Sequence, residues 1–315
     1  MSDSIFRTVI KTKNNFKTIS HTSSIVLFGS CFSENMGKKL AYYKFQQTTN
    51  PYGVLFHPLA IEKAIFDCLH LQHYDTSDLI LHNERYHSFH HHSDFSKNTE
   101  AEIVTAINST IASTNKKLKE ASHLIITLGT AWIYKHVETD TVVANCHKIP
   151  QKEFSKELLT VDEITQSLQR IQNGISKINP DLKIIYTVSP VRHVKDGMIE
   201  NSLSKSHLIS AIHRLLKSNA VSYFPAYEIM MDDLRDYRFY AADMIHPNET
   251  AITYIWEQFV QAWIATPTEL LKKIDNVQKS ISHKPFNPDS EAHKKFKEHL
   301  KTQIWSLEAQ LAISF

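Results

Sequence analysis

The sequence predicts an α/β fold with a mostly parallel central sheet, and three observations support this prediction. Four short apolar runs, partly β-branched, are spread along the chain. Each run is apolar throughout rather than alternating, which is typical of strands that helices cover on both faces. Stretches with helical spacing separate the runs, and such alternation favours a parallel sheet with right-handed crossovers.

The four predicted strands end near residues that break regular structure. Gly29, Gly129 and Pro190 follow the first three, and Pro225 meets the fourth. Gly and Pro are the strongest local signals for the end of an element. The predicted strands are residues 25–28, 124–128, 184–188 and 221–224.

Helical spacing and composition predict the rest of the chain. Residues 73–98 are rich in His, Asp, Ser and Asn and predict a long loop. Beyond Pro267 the composition shifts, so residues 266–315 are expected to form a helical extension of a domain at 1–265. The apolar face of residues 291–313 predicts packing against the body or against a second copy, giving a homodimer. The predicted helices are residues 34–43, 58–71, 99–121, 161–178, 202–218 and 249–264.

Composition excludes several functional classes. Of 315 residues, 42% are hydrophobic and 22% charged, as in folded globular proteins, and the net charge of +2 lacks the basic excess of nucleic-acid binders. No apolar run approaches the roughly 20 residues that span a bilayer, and the first residues lack the apolar stretch of a signal peptide. We therefore expect a cytoplasmic protein without nucleic-acid or membrane partners.

Cysteine usage indicates free thiols. Cys31, Cys68 and Cys146 are odd in number and far apart, so they form neither a disulfide framework nor a four-thiolate zinc site. No cofactor is expected.

The first predicted strand leads directly into a turn that carries two small nucleophiles. The turn is Gly29-Ser30-Cys31-Phe32-Ser33, and a helical pattern follows it. Ligands of parallel sheets bind at the carboxyl ends of strands, where the next helix N-terminus favours negative charge. A phosphate-binding loop is disfavoured because seven residues separate Gly29 from Gly37, where that motif requires four.

A second motif, Asp243-Met244-Ile245-His246-Pro247, lies just before the last helix of the main domain. An Asp three residues before a His can hold the imidazole in one tautomer and support the imidazolium that forms during proton transfer. The competing interpretation is a helix-capping Asp beside a surface His.

The two motifs together resemble the SGNH hydrolase superfamily, and the chain is similar to the GSCFA family within it. The resemblance covers roughly residues 5–264. It implies a three-layer α/β/α sandwich, flavodoxin-like in type, and an ester hydrolase ancestry. Further matching blocks are Asn50-Pro51-Tyr52-Gly53, Thr127-Leu128-Gly129-Thr130-Ala131-Trp132, Asn145-Cys146-His147-Lys148 and Ser189-Pro190-Val191-Arg192-His193.

The resemblance implies roles for individual residues. Cys31 stands where the superfamily has its catalytic serine, with Ser30 as rival if the turn is displaced by one residue. His246 would shuttle the proton and Asp243 would orient it. A thiol at a helix N-terminus facing His246 is expected to have a lowered pKa.

The oxyanion hole that the resemblance implies is incomplete here. The superfamily's Gly-x-Asn block is Gly129-Thr130-Ala131 in this chain, without the Asn. Gly53 can stand for the loop glycine, and Thr130 or Asn145 would replace the missing donor. His147, Arg192 and His193 are expected near the substrate, the last two adding positive charge at the sheet end together with Lys205.

Three functions therefore stay open. The first is an ester hydrolase acting on a small-molecule or glycan ester. The second is an acyltransferase that uses the same residues. The third is a non-catalytic protein that binds acyl or glycan ligands, which the missing Asn favours.

A cluster of histidines also raises the question of a metal site. His87, His90, His91 and His92 lie next to Asp94, and imidazole with carboxylate suits divalent ions. Four His so close together cannot all point one way on a strand, so we expect a polar loop and no metal.

Overall fold

The computed structural model describes residues 8–12, 18–216 and 221–315. Its strands are β1 (Ser24–Gly29), β2 (Gln46–Thr49), β3 (Ile80–His82), β4 (Arg85–His87), β5 (His123–Leu128), β6 (Trp132–His136), β7 (Thr141–Val143), β8 (Phe154–Leu158), β9 (Lys183–Val188) and β10 (Val221–Phe224). Its helices are α1 (Cys31–Tyr42), α2 (Pro58–His70), α3 (Glu100–Glu120), α4 (Val161–Ile178), α5 (Met198–Leu215), α6 (Ala226–Glu228), α7 (Glu249–Trp263), α8 (Thr268–Ser282) and α9 (Glu291–Leu311).

The central sheet has five strands in the order β2-β1-β5-β9-β10, and every neighbouring pair is parallel. The four predicted strands are confirmed as β1, β5, β9 and β10. Strand β2 was not predicted, because its sequence Gln-Gln-Thr-Thr is polar and it lies at the edge of the sheet. The expected parallel α/β fold is confirmed.

Helices cover both faces of this sheet. On β1, Val26 and Phe28 join the apolar core formed with α2, α3, α4 and α5. Ile25 and Leu27 point to the other face and join the core formed with α1, α7 and α8. The alternation along one strand thus separates two cores, and the expected three-layer sandwich is confirmed.

The predicted helices agree with the structure except near their ends. Helix α1 begins at Cys31, three residues before the predicted start, because Ser30 caps it. Helix α5 begins at Met198, and residues 217 and 218 of its predicted span lie outside the described residues. None of the described helices is long and apolar enough to cross a bilayer.

Two small antiparallel sheets were not predicted. Strands β3 and β4 form a hairpin inside residues 73–98, which were expected to be a loop. Strands β7, β6 and β8 form a second sheet. Their residues are largely exposed or half-buried, so these strands lack the continuous apolar run that marks a buried strand.

The C-terminal helices pack against the body, which is one of the two expected arrangements. Ile274 and Val277 of α8 and Leu307 of α9 are buried in the core shared with α1 and α7. The Tyr42 hydroxyl donates a hydrogen bond to Asp275 Oδ1 at 2.8 Å. The division at residues 265 and 266 and the homodimer stay predictions.

Candidate functional site

A tight turn joins β1 to α1 at the carboxyl edge of the sheet. Gly29 has φ of 142°, and a Cβ at this position would lie 2.1 Å from the carbonyl oxygen of Thr127. The backbone N–H of Ser30 donates to that same oxygen at 3.1 Å. Because no side chain fits between the turn and β5, glycine lets the start of α1 sit directly against the neighbouring strand.

The structure distinguishes the two small nucleophiles of the turn. Ser30 is fully buried, and its Oγ accepts a hydrogen bond from the Phe32 N–H at 3.3 Å as the cap of α1. Cys31, the first residue of the helix, is partly exposed and lines a cleft of about 620 Å³. Of these two side chains, Cys31 is therefore the one that a molecule in the cleft can reach.

The thiol of Cys31 is not acidified in the way the sequence suggested. Burial raises its pKa, and the charge of Glu34 adds to this effect. Lys205 and the backbone amides of Cys31 and Phe32 act in the opposite direction but do not outweigh burial. The expectation of a lowered pKa was wrong because partial burial of the thiol outweighs the favourable charge and amides around it.

Asp243 and His246 form the expected pair. His246 Nδ1 lies 2.7 Å from Asp243 Oδ2, and both side chains are about half-exposed. The backbone N–H groups of His246 and Ile245 donate to Asp243 Oδ1 and, together with the imidazole, lower the pKa of Asp243 to about 2. The capping interpretation was wrong, since Asn248 caps α7 through the Ala251 N–H.

The Cys31 turn and the Asp243–His246 pair face the same cleft. His246 lines the same cleft as Cys31. The carboxylate of Asp243 engages Nδ1, so Nε2 is the nitrogen left to exchange a proton with a bound molecule.

Arg192 supports the loop that carries His246. Its guanidinium lies 4.0 Å from the ring centre of Tyr240, and it donates to the Met244 carbonyl oxygen at 3.4 Å. Its backbone N–H donates to the Ile245 carbonyl oxygen at 3.3 Å. Arg192 also lines the cleft, so it connects the end of β9 to the His246 loop.

Three backbone donors expected in the oxyanion hole are already used. The N–H of Gly53 donates to the Asn50 carbonyl oxygen at 2.7 Å. The N–H groups of Gly129 and Thr130 both donate to the Phe56 carbonyl oxygen, at 2.7 and 3.0 Å. These turns stabilise the loops around the cleft, and the expectation that Gly53 offers a free amide was wrong.

Asn145 lines the cleft, but its side chain is engaged. Its Oδ1 accepts from the His147 N–H at 2.8 Å, and its Nδ2 donates to Ser93 Oγ at 3.2 Å. The hydroxyl of Thr130 lies 3.0 Å from Ser204 Oγ. Both replacements suggested for the missing Asn therefore have partners within the protein.

His193 differs from these residues. It lines the cleft, and its Nε2 is buried without a hydrogen-bond partner among the described residues. Burial, helped by Lys205 and His246, lowers the pKa of His193 to about 3, so its ring is neutral. A neutral ring that carries its proton on Nε2 can donate a hydrogen bond into the cleft.

His147 was expected near the substrate, and the structure places it elsewhere. Its Nε2 lies 2.8 Å from the Ser88 carbonyl oxygen, and its ring packs on that of His87 at 4.6 Å. It is buried and is not among the residues that line the cleft. His147, although adjacent to Cys146 in the sequence, therefore packs inside the protein and does not contact the cleft.

The histidine cluster diverges within the loop. His91 stacks on Tyr52 with ring centres 4.4 Å apart, while His90 lines a separate pocket of about 220 Å³. His92 lines the cleft, with Nδ1 3.1 Å from Asp94 Oδ2. Within the part of the chain that the structure describes, no three His, Cys, Asp or Glu side chains are arranged to hold a metal ion.

One wall of the cleft comes from the small sheet that was not predicted. Trp132 and Tyr134 of β6 line it, together with Val143 of β7. Lys156 of β8 places its Nζ 4.7 Å from the ring centre of Trp132. The wall is mainly apolar and aromatic, as is usual for small-molecule sites.

The order of motifs and the fold agree with a match to known families. The model of the GSCFA family matches residues 24–259, which is most of the chain. The chain belongs to the GSCFA family. A second model, the C-terminal domain of GSCFA domain proteins, matches residues 274–314.

Other comparisons add little about this GSCFA protein. A search of the curated proteins found no match. A carbohydrate esterase family 3 structure from Talaromyces cellulolyticus aligns with 81% of this chain and 99% of its own, at 8% identity and a TM-score of 0.36. A score this low says nothing about a shared activity.

Proposed function

We propose that this GSCFA protein hydrolyses acyl esters through a thioester on Cys31. The observation that carries the proposal is that Cys31 and the Asp243-oriented His246 line one cleft. A nucleophile, a base and a group that orients the base are the parts that covalent acyl transfer requires.

The reaction would proceed in two steps. As the Cys31 sulfur attacks the ester carbonyl, the thiol proton passes to His246, which then delivers it to the departing alkoxide. His246 then takes a proton from water, which attacks the thioester and releases the acid and the free thiol. Asp243 is ionised throughout the neutral range and stabilises the imidazolium that forms within each step.

The developing oxyanion needs donors that are free. The amide of Cys31 is one, because the first residues of a helix have no intrahelical acceptor. We assign His193 Nε2 as the second donor. The nitrogen is buried without a hydrogen-bond partner among the described residues, and the ring is neutral. This assignment replaces Gly53, Gly129 and Thr130.

The cleft favours an ester with a ring-shaped polar part. About 620 Å³ accommodates a monosaccharide with a short acyl chain, and Trp132 and Tyr134 offer flat apolar faces. We therefore propose an acylated carbohydrate as the substrate class.

A panel of acylated sugars and nitrophenyl acyl esters tests the proposal. Wild-type protein is expected to release acid with turnover, and Cys31→Ala is expected to lose the activity by at least about 10³-fold. Cys146→Ala is the matched control, because Cys146 lines the same cleft and burial raises its pKa to about 11.

The control separates a nucleophile from a cleft-lining thiol. Cys146→Ala should keep its rate within about twofold, since surface changes away from the reacting atoms have small effects. Turnover of Cys31→Ala at the wild-type rate would contradict the proposal. Release of acid only when an alcohol acceptor is absent, with transfer to the acceptor when it is present, would instead indicate an acyltransferase.

A further inference from the structure

A lysine that was expected to add positive charge at the end of the sheet is buried against two loops that lead into the cleft. Lys205 of α5 is 1% exposed. Its Nζ donates to the carbonyl oxygens of Gly129 at 2.7 Å and Ser189 at 2.8 Å. These two residues directly follow β5 and β9, and Thr130 and Val191 just beyond them line the cleft.

The hydrogen-bond partners of Lys205 carry no negative charge that could neutralise its ammonium group. Both acceptors are neutral carbonyls, and among the described residues no carboxylate forms an ion pair with Lys205. A buried ammonium without a negative partner is strongly unfavourable. Burial accordingly lowers the pKa of Lys205 to about 7, and the group that acts against this effect is the thiol of Cys31.

The topology brings these two residues to the same end of the sheet. Gly29 at the end of β1 pairs with Thr127 of β5, so the turn that begins α1 stands beside the start of the Gly129 loop. Lys205 reaches that loop from α5 on the opposite face of the sheet. The thiol and the amine thus approach the same strand ends from two layers.

We propose that Lys205 is a positioning residue that supplies the counter-charge of the Cys31 thiolate. The inference rests on the proposed function, in which the thiolate attacks an ester. The thiol proton goes to solvent when Cys31 is alkylated and to His246 in the ester reaction, and in both cases the ammonium keeps its own proton, so that the thiolate–ammonium pair is neutral overall. His246 remains the group that exchanges protons with the leaving alcohol and with water.

The other charged or titratable groups around the pair do not supply this charge. Glu34 of α1 raises the pKa of Cys31, and His193 beyond β9 is neutral in its buried position. Tyr227 presents its ring 5.7 Å from the Lys205 Nζ. Among the described residues, Lys205 is the cation whose charge favours the thiolate of Cys31.

The first test measures how fast iodoacetamide alkylates Cys31 between pH 5 and 10, by peptide mapping, in wild type and Lys205→Met. The variant is expected to react about tenfold or more slowly at pH 7, with the midpoint raised by roughly one pH unit or more. Cys146 is an internal control in the same cleft.

Identical profiles in wild type and Lys205→Met would overturn the proposal and leave Lys205 as a structural strut between two strands. Circular dichroism and the thermal midpoint establish that the variant is folded. If it does not fold, a measurement without any change at position 205 takes its place.

That second test uses the reciprocity of coupled charges. In protein labelled with ¹³C at lysine Cε, the resonance that titrates near pH 7 reports Lys205. Its midpoint is expected to be higher in wild type than in Cys31→Ser, because the hydroxyl does not ionise. Equal midpoints would contradict the pairing.

Neither readout involves an ester, so the two proposals fail separately. A normal ester hydrolysis rate with no Lys205 effect on alkylation would reject the counter-charge and keep the function. A clear Lys205 effect without hydrolysis of any ester would keep the pairing and reject the function.

Discussion

Replacement of His246 by alanine is expected to lower kcat for ester hydrolysis by about 10²–10⁴-fold, with a small change in KM. In the proposed reaction the imidazole transfers protons and contributes little to substrate binding. The loss should be larger for an alkyl ester than for a nitrophenyl ester, because only the alkoxide needs a proton in order to leave. Steady-state kinetics on a matched pair of such esters measures this difference.

Two further variants help to interpret the loss of activity in His246→Ala. Asp243→Asn is expected to cost less, about tenfold to a hundredfold, because Asp243 and His246 are half-exposed and water can partly replace the carboxylate. His92→Ala is the control, since His92 also lines the cleft but pairs with Asp94. A His246→Ala rate within about threefold of wild type on the alkyl ester would contradict the base assignment.

Replacement of Gly29 by alanine is expected to destabilise the fold by more than about 3 kcal/mol or to prevent folding. The new Cβ would lie 2.1 Å from the backbone oxygen of Thr127, in the sheet itself, and φ of 142° is a conformation that residues with a side chain rarely adopt. Urea unfolding followed by circular dichroism measures the effect.

Gly174→Ala is the matched control for this change. Gly174 lies within α4, and its new Cβ would meet a methyl group of Leu69 at 2.9 Å. That methyl is the end of a flexible side chain, and alanine gains about 1 kcal/mol of helix propensity over glycine. Gly174→Ala should therefore change the free energy of unfolding by less than about 1 kcal/mol, and equal losses in the two variants would contradict the role of the Gly29 turn.

Much of the fold follows from the sequence because the parallel strands are buried on both faces. Residues 184–188, for example, form an apolar run whose hydrophobic character alone specifies a central strand. The edge strand β2 and the wall strand β6 have polar or half-exposed residues, and their pairing depends on neighbours distant in the chain. Such strands leave little trace in a single sequence.

In the candidate site, too, local features could be predicted and features that depend on distant residues could not. Cys31 and the Asp243–His246 pair are local motifs beside predicted elements, so their positions at the sheet edge could be inferred. The engagement of the Gly53 amide could have been inferred, because Asn50-Pro51-Tyr52-Gly53 has the residues of a β-turn closed by that hydrogen bond. The engagement of the Gly129 and Thr130 amides depends on Phe56, which is distant in the chain. Lys205 was expected to add positive charge at the sheet end, and its burial was not predicted because nothing local distinguishes a buried lysine from an exposed one.

The thioester on Cys31 is the central claim, and mass spectrometry tests it most directly. Protein mixed with an acyl ester is quenched in acid within the first turnovers, and the intact mass and peptides are compared with those of Cys31→Ala. We expect one added acyl group, mapped to Cys31, that hydroxylamine removes and that accumulates in His246→Ala with an activated ester. Turnover of the ester with no acyl group on Cys31, or with the group on Ser30 or Cys146, would contradict the claim.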